Sequence, residues 1–261
     1  MDRIATGNAG AVIPVETAAA LDALAQRHRA ASGIGMQLLG LVGGHAENLL
    51  ERLPDAAKDR LEVATERALR VSLDAAARSR GGRLPDGAGW QNTALTTALG
   101  AVGGFGGLPT ALAELPLTTT VLLRAIQAIA EAHGYDPASP EIRADCLQVF
   151  AAAGPLAADD GAELGFLAAR VALTGPVVHG LIARVAPRLS LVLGQKLAAQ
   201  TIPVIGAVAG ATINHSFTRY YQEMAHLQFG LKRLSDDSGI AHAVLLADLR
   251  QRLGPRPRLR G

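Results

Sequence analysis

Residues 103–134 read GGFGGLPTALAELPLTTTVLLRAIQAIAEAHG, and residues 195–217 read QKLAAQTIPVIGAVAGATINHSF. Each segment overlaps a long stretch without Asp, Glu, Lys or Arg, the first from Gly87 to Ala113 and the second from Leu197 to Thr218. A membrane span needs roughly 20 apolar residues, but these stretches are built from glycine, alanine and threonine as much as from leucine. We therefore predict helices that pack inside the fold rather than independent membrane spans.

Glycines recur in both segments at a spacing of four residues. A Gly-x-x-x-Gly pair puts a flat strip on one helix face, so that two helix backbones can approach closely. Each glycine inside a helix costs about 1 kcal/mol relative to alanine, so repeated pairs need a packing reason. The pairs Gly103/Gly107 and Gly206/Gly210 predict two glycine-rich apolar helices, packed at the centre of an all-α, multi-helix bundle. A membrane-inserted hairpin is the alternative.

The remaining sequence also has helical periodicity. Apolar residues at helical spacing predict a helix from about Thr17 to Ala31, and a second helix follows Pro54 with a Glu66–Arg70 pair one turn apart. Pro116 is expected to open a helix that ends near His133, because proline is tolerated in a first turn. Gly134 is then its C-terminal cap. We divide the chain into an N-terminal segment (1–15), a helical domain (16–238) and a C-terminal helix with a basic tail (239–261).

The composition limits the classes of function. The hydrophobic residues make up 49% and the charged residues 18% of the chain, so it must bury much of its surface or meet lipid. A net charge of +2 and an aromatic content of 3% argue against a nucleic-acid partner. Cys146 is the only cysteine, which excludes an internal disulfide and a structural cysteine zinc site. The apolar patch after Arg3 is too weak for a signal peptide, so we expect a cytoplasmic protein.

A search for enzyme motifs finds none. The chain has no Gly-x-Ser-x-Gly elbow, no phosphate-binding loop closed by a lysine and no His-Glu-x-x-His pair. The sequence Gly104-Phe105-Gly106 begins like a dinucleotide fingerprint, but Pro109 stands where the third glycine belongs. No catalytic residue, cofactor or metal site is therefore predicted.

A set of polar residues does stand out, because its members lie among apolar ones in the two segments. Arg124 follows two leucines, and Lys196 and Gln200 lie one turn apart. If the segments pack together, the set could bind an anionic head group through Arg124 and Lys196, with Glu114 as a base. A self-satisfied polar network that fixes helix register is the other interpretation, and the one we favour. The set comprises Glu114, Thr118, Thr119, Arg124, Lys196, Gln200 and Asn214.

These segments, with PEIRADCLQVF at 140–150 and MAHLQFGLKRL at 224–234, resemble the EcsC family of bacterial proteins. The resemblance spans about Leu61 to Leu234, and its blocks occur in the family's order. The family usually has Asp before Leu-Pro, where this chain has Glu114. The resemblance falls on the residues Gly103, Gly104, Gly107, Leu108, Pro109, Glu114, Leu115, Pro116, Thr118, Thr119, Arg124, Gly134, Arg143, Lys196, Gln200, Pro203, Gly206, Gly210, Asn214, Phe217 and Arg233.

The resemblance implies a helical protein linked to membranes, without an established biochemical activity, since the family is named after a gene that accompanies an ABC-type transporter operon. We expect a non-enzymatic accessory or lipid-binding protein, peripheral to the inner face of the cell membrane. Its partners would be a membrane surface, a lipid or a membrane protein. The arginines from Arg250 to Arg260 are expected to form a disordered basic tail, which either meets anionic lipid or is solvated without a partner. The alternative is a hydrolase or transferase that acts on a lipid-like or acyl substrate in an interhelical pocket.

Overall fold

A computed structural model describes residues 4–6, 12–41, 55–79, 107–152, 165–168, 177–200 and 206–253. Strands β1 (Ile4–Thr6) and β2 (Val12–Pro14) pair antiparallel and contact the first helix. Helices make up most of the rest, so the all-α prediction is confirmed and the strand pair is peripheral. The helices in these ranges are α1 (Val15–Leu41), α2 (Asp55–Ser79), α3 (Gly107–Ala132), α4 (Pro140–Val149), α5 (Gly165–Ala168), α6 (Val177–Gln200), α7 (Gly206–Ser238) and α8 (His242–Leu253).

The helices form a bundle around α3 and α7. The most extensive contacts join α2 to α3 and α1 to α7, and α3 packs against α7 as well. Helix α4 touches α3, α6 and α7, α2 also packs against α6, and α8 lies against α1 and α7. Burial of aromatic and aliphatic side chains at these contacts supplies the main folding free energy. The largest fully buried side chains include Phe150, Tyr220, Tyr221 and Phe229.

The start of α3 differs from the prediction. The helix begins at Gly107, and Pro116 lies inside it rather than in its first turn. A proline in a helix interior costs about 3 kcal/mol, because it lacks an N–H group and crowds the preceding turn. Packing of α3 against α2 and α7 offsets this cost. Local propensity therefore placed the helix start nine residues too late.

The end of α1 also lies beyond the prediction, because the helix continues past Ala31 to Leu41. On α7, Asn214 lies inside the helix. Asparagine is a poor helix former but is not a helix breaker, and its side chain here is buried. Tertiary packing overrides the local preference at this position.

The cap of α3 is confirmed. Gly134 has a φ of +84°, in the left-handed region that glycine adopts without strain. Its N–H donates to the Glu131 carbonyl at 2.8 Å, and the N–H of Tyr135 donates to the Ala130 carbonyl at 3.0 Å. These are the two hydrogen bonds of a Schellman motif. The cap ends α3 sharply and turns the chain into the segment before α4.

Part of the glycine prediction lies outside the described residues, including Gly103. Gly107 and Gly206 are the first residues of α3 and α7, and Gly210 follows one turn into α7. Since α3 packs against α7, the helices that carry the two segments are adjacent, as predicted. Among the described helices, none has both the length and the apolar character that crossing a membrane requires.

Candidate functional site

The structure places most of the predicted polar set in the interior. Thr118 and Thr119 are buried on α3, Asn214 is buried on α7, and Lys196 near the end of α6 is only 7% exposed. Arg124 is partly buried. Glu114 and Gln200 belong to α3 and α6, but their side chains lie outside the described part of the chain. The convergence of all seven residues at one locus stays a prediction.

A hydroxyl network next to this set joins α2 to α3. Ser72 Oγ donates to the Pro116 carbonyl at 3.1 Å, and Thr120 Oγ1 donates to the same carbonyl at 2.6 Å. Thr120 Oγ1 also lies 3.1 Å from Ser72 Oγ. A buried polar network whose members satisfy one another fixes the relative position of two helices. This contact supports the register interpretation for the threonine-rich part of α3.

A charged cluster that the sequence did not predict lies where the α3–α4 turn meets α7. Lys232 Nζ of α7 lies 2.5 Å from Glu141 Oε1 and 3.1 Å from Asp145 Oδ2 of α4. It also stands over the Tyr135 ring, 5.6 Å from its centre. The Tyr135 hydroxyl donates to Asp236 Oδ2 at 2.6 Å. This cluster ties the turn and α4 to the C-terminal half of α7.

Burial and pairing act in opposite directions in this cluster. Burial raises the pKa of the Asp145 carboxyl, although the Lys232 charge opposes that shift. Burial lowers the pKa of Lys232, but the bonds to Glu141 and Asp145 outweigh it, so the net shift is upward. Lys232 is therefore protonated near pH 7, and its positive charge stabilises the ionised form of Asp145.

Two histidines meet beside this cluster: His133 directly follows α3, and His226 lies on α7. His133 Nε2 lies 3.2 Å from His226 Nδ1, and the rings pack edge to face. Burial, the charge of Arg27 and the charge of Arg233 lower the pKa of His133. Burial, Arg27 and His133 lower the pKa of His226 to about 4. Both imidazoles are therefore neutral near pH 7, and one ring N–H donates to the other ring.

Helix α6 carries a basic and apolar outer face, which we call the α6 stripe: Arg184, Arg188 and Leu191. These residues recur at positions i, i+4 and i+7, so they share one face of the helix. All three are exposed, Leu191 by 55%. The sequence of α6 contains no Asp or Glu, so no acidic side chain of the same helix neutralises the arginines.

The neighbouring helix α2 extends this character. Val63 and Val71 are exposed on α2, and Arg60 and Arg67 are exposed on the same face. Arg70 is paired with Glu66 at 2.6 Å, as the sequence predicted. Because α2 packs against α6, these residues belong to a helix next to the α6 stripe, but α2 also carries acidic residues, among them the exposed Glu62. Arginines interspersed with exposed apolar side chains are typical of surfaces that lie on anionic membranes.

The C-terminal basic residues are arranged differently from the prediction. Arg250 and Arg252 lie in the last turn of α8 rather than in a disordered tail. Arg252 contacts Asp248 and Asp22, at 2.5 Å and 2.7 Å, and donates to the Ala18 carbonyl. It therefore fastens α8 to α1 and is not available for lipid. The last three arginines of the proposed tail lie outside the described residues.

Comparison with known protein families shows which family the chain belongs to. The EcsC protein family matches residues 23–234. The chain belongs to the EcsC protein family. No curated protein and no solved structure matches it. The match begins earlier than the resemblance seen in the sequence and ends at the same residue, Leu234. It includes α6, the histidine pair and Lys232 with its α4 partners, and it excludes Asp236 and α8 of this EcsC-family protein.

The α6 stripe could have been predicted from the sequence, whereas the histidine pair could not. In the sequence of the EcsC-family protein, Arg184, Arg188 and Leu191 recur at helical spacing in a segment without Asp or Glu. This pattern was not among the predictions made from the sequence. The histidine pair joins residues 93 positions apart, so no local pattern points to it. The seven histidines are scattered along the chain. Among the described residues, no group of three or more His, Cys, Asp or Glu side chains is placed to hold a metal ion.

Proposed function

We propose that this EcsC-family protein is a non-enzymatic accessory protein that attaches peripherally to anionic lipid at the inner face of the cell membrane. The observation that carries the proposal is the α6 stripe. It presents two arginines and an exposed leucine on a helix without acidic residues. The arginines would meet lipid phosphates, and Leu191 would enter the boundary between head groups and acyl chains.

The energetics are adequate for reversible attachment. A basic residue near an anionic leaflet contributes about 1 kcal/mol. The two arginines of the stripe therefore supply about 2 kcal/mol, and Arg60 and Arg67 on α2 add to this if both faces touch the surface. Burial of an exposed leucine side chain adds about 1.5–3 kcal/mol at most. The sum suits a peripheral protein that exchanges between membrane and solvent.

The proposal moves the contact surface from the C-terminal tail to α6. Arg252 is engaged by two carboxylates and Arg29 donates to its carbonyl at 2.9 Å, so the end of α8 is held on α1. A membrane protein that shares the lipid surface is the further partner we propose. Attachment through α6 would present the opposite side of the bundle to such a partner.

Co-sedimentation with vesicles tests the proposal. Vesicles of phosphatidylcholine with about a third phosphatidylserine are compared with phosphatidylcholine alone, at several salt concentrations. The variant Arg184→Glu/Arg188→Glu should lower the partition coefficient at least 30-fold, since losing two charges removes about 2 kcal/mol. The matched control is Arg219→Glu/Arg233→Glu, which makes the same charge change on exposed positions of α7.

Three results bear on the proposal. A loss specific to the α6 variant, together with weaker binding at high salt, supports it. An equal loss in the α7 control would mean that only net charge matters. Binding that survives the α6 variant but disappears when residues 254–261 are deleted would assign the contact to the tail, and the α6 proposal would be wrong.

A hydrolase or transferase with a lipid-like substrate is the second candidate, and one observation favours it. Lys196 is 7% exposed and therefore lies inside the fold, on the helix that carries the stripe. A buried lysine has an adjustable pKa and is a common general base. Release of acyl chains from labelled vesicles by the wild-type protein, abolished in Lys196→Met, would favour this candidate. No release by the wild-type protein would remove it.

A further inference from the structure

The end of α3 is held at a junction of three helices. His133 lies at the C-terminus of α3, His226 lies on α7, and Arg27 of α1 acts electrostatically on both rings. Gly230, one turn after His226, allows the close approach. A Cβ added to Gly230 would lie 2.7 Å from Leu24 Cδ2 and 3.6 Å from His133 Cε1. Gly230 therefore lets α7 lie directly against Leu24 of α1 and in van der Waals contact with the His133 ring.

The charged groups around the histidine pair take part in ion pairs and hydrogen bonds of their own. From α1, Arg27 binds Glu223 Oε2 of α7 at 3.0 Å. Also from α7, Arg233 is bonded to Asp237 at 2.8 Å and lies beside the turn, where its Nη1 would be 3.4 Å from a Cβ on Gly134. From α3, Glu131 is exposed. In the turn, Asp136 accepts from the Ala138 N–H at 2.9 Å, and Tyr135 donates to Asp236 of α7. The α4 acids Glu141 and Asp145 are both paired with Lys232 of α7.

Each proton added to the pair has a distinct consequence. A first proton preserves one N–H donor between the rings, but it places a positive charge close to Arg27 and Arg233. Like charges in a partly buried site repel one another, and the Glu223 carboxylate is already engaged by Arg27. A second proton gives both facing nitrogens an N–H group, so the hydrogen bond between the rings is lost.

We propose that the His133–His226 pair is an acid-sensitive latch, which holds the end of α3 against α1 and α7 and releases it when the imidazoles take up protons. The latch is closed near pH 7, where both rings are neutral. The proposal concerns the fold's response to acid, and it is independent of lipid binding.

The direction of the pH effect follows from linkage. Histidine has an ordinary pKa of about 6.5 in the unfolded chain, whereas that of His226 in the folded protein is about 4. The unfolded state therefore binds protons more readily below pH 6.5, and the folded state loses stability as the pH falls towards 4. At pH 5 the shift for His226 corresponds to an unfolding constant about 10- to 30-fold larger than at pH 7.5, the lower figure allowing for solvent screening. His133 adds to this in the same direction.

Denaturant unfolding between pH 4.5 and 7.5 provides the first test. The carboxylates also titrate towards the lower end of this range, so the comparison is made between variants. The double variant His133→Gln/His226→Gln keeps polar side chains at both positions but cannot take up protons. Its increase in unfolding constant between pH 7.5 and 5 should be at least tenfold smaller than that of the wild type. The matched control is His215→Gln, an exposed histidine on α7, which should retain the wild-type pH dependence.

A second measurement does not depend on the variants folding. Amide hydrogen exchange of the wild-type protein, corrected for the intrinsic effect of pH, should show that the turn at 133–139 and the facing part of α1 lose protection at pH 5 before the α2–α3 contact does. Uniform loss across all helices, or a His215 variant as insensitive to pH as the double variant, would overturn the latch. Titration of the two rings by NMR with both values at or above 6.5 would also overturn it.

Discussion

Replacing Lys232 with methionine isolates the charge of the α4–α7 cluster. Methionine keeps most of the apolar stem but removes the ammonium group, which binds Glu141 and Asp145 and lies over the Tyr135 ring. The Asp145 side chain is 13% exposed, so it would be left as a largely buried carboxylate without its cation. Removing one partner of a fully buried ion pair costs about 3–5 kcal/mol. Because Lys232 is 22% and Glu141 is 55% exposed, we expect about 2–3 kcal/mol at pH 7.

The loss should depend on pH in a defined direction. Burial already raises the pKa of Asp145 above its ordinary value, and removing Lys232 raises that pKa further. An acid whose folded-state pKa is raised leaves stability intact below its unfolded pKa and lowers stability as the pH rises through the folded one. The difference between wild type and Lys232→Met should therefore shrink by up to about 1.4 kcal/mol per pH unit between pH 7 and 5.

Urea unfolding followed by circular dichroism measures both effects. Glu141→Gln is the control, since it removes an exposed partner and should cost less than about 1 kcal/mol. The double variant Asp145→Asn/Lys232→Met should recover much of the loss, because no buried charge remains. A loss below about 1 kcal/mol at pH 7, or a loss that does not change with pH, would refute the reasoning and place Asp145 in effective contact with water.

Two further substitutions test the ends of helices, both by thermal unfolding. Gly134→Ala should cost about 1–2 kcal/mol, because its φ of +84° is unfavourable for alanine. Gly180→Ala, on an exposed face with open space around it, should instead raise the free energy of unfolding by up to about 1 kcal/mol. Stability changes of the same sign in both variants would contradict the role of Gly134 as the cap of α3. Arg252→Ala should cost about 1–2 kcal/mol through lost charge-assisted hydrogen bonds to Asp22 and Asp248. Arg250→Ala should cost under about 0.5 kcal/mol, and similar losses for both would disprove the clamp between α8 and α1.

Features of the fold that depend on neighbouring residues could be predicted from the sequence. Gly134 follows an amphipathic pattern directly, and its cap is as expected, since only the local backbone decides it. The Glu66–Arg70 pair is likewise present, because residues four apart on a helix are always neighbours. The adjacency of α3 and α7, the helices that carry parts of the two glycine-containing segments, was also predicted. It follows from the need of both apolar helices to bury their surfaces against a partner.

Features that depend on distant contacts could not be predicted. Pro116 is a common residue in a first turn, and only the packing of α2 on α3 explains why the helix starts earlier. Arg252 looks like part of a basic tail, but Asp22 lies 230 positions away and captures it. The same reason hides the pairing of Lys232 with α4. A charged residue's role is set by whichever opposite charge the fold brings to it, and spacing along the chain does not show this.

The candidate site changed for the same physical reason. The sequence singled out polar residues in apolar surroundings, and burial of Thr119, Lys196 and Asn214 agrees with that selection. Burial alone does not distinguish a binding site from a network that fixes helix register, and the Ser72–Thr120 contact is of the second kind. A surface function requires exposed groups instead. Those groups lie on α6, where arginine and leucine recur on one exposed face of a helix that has no Asp or Glu of its own, so the lipid-binding proposal rests on the outside of the bundle.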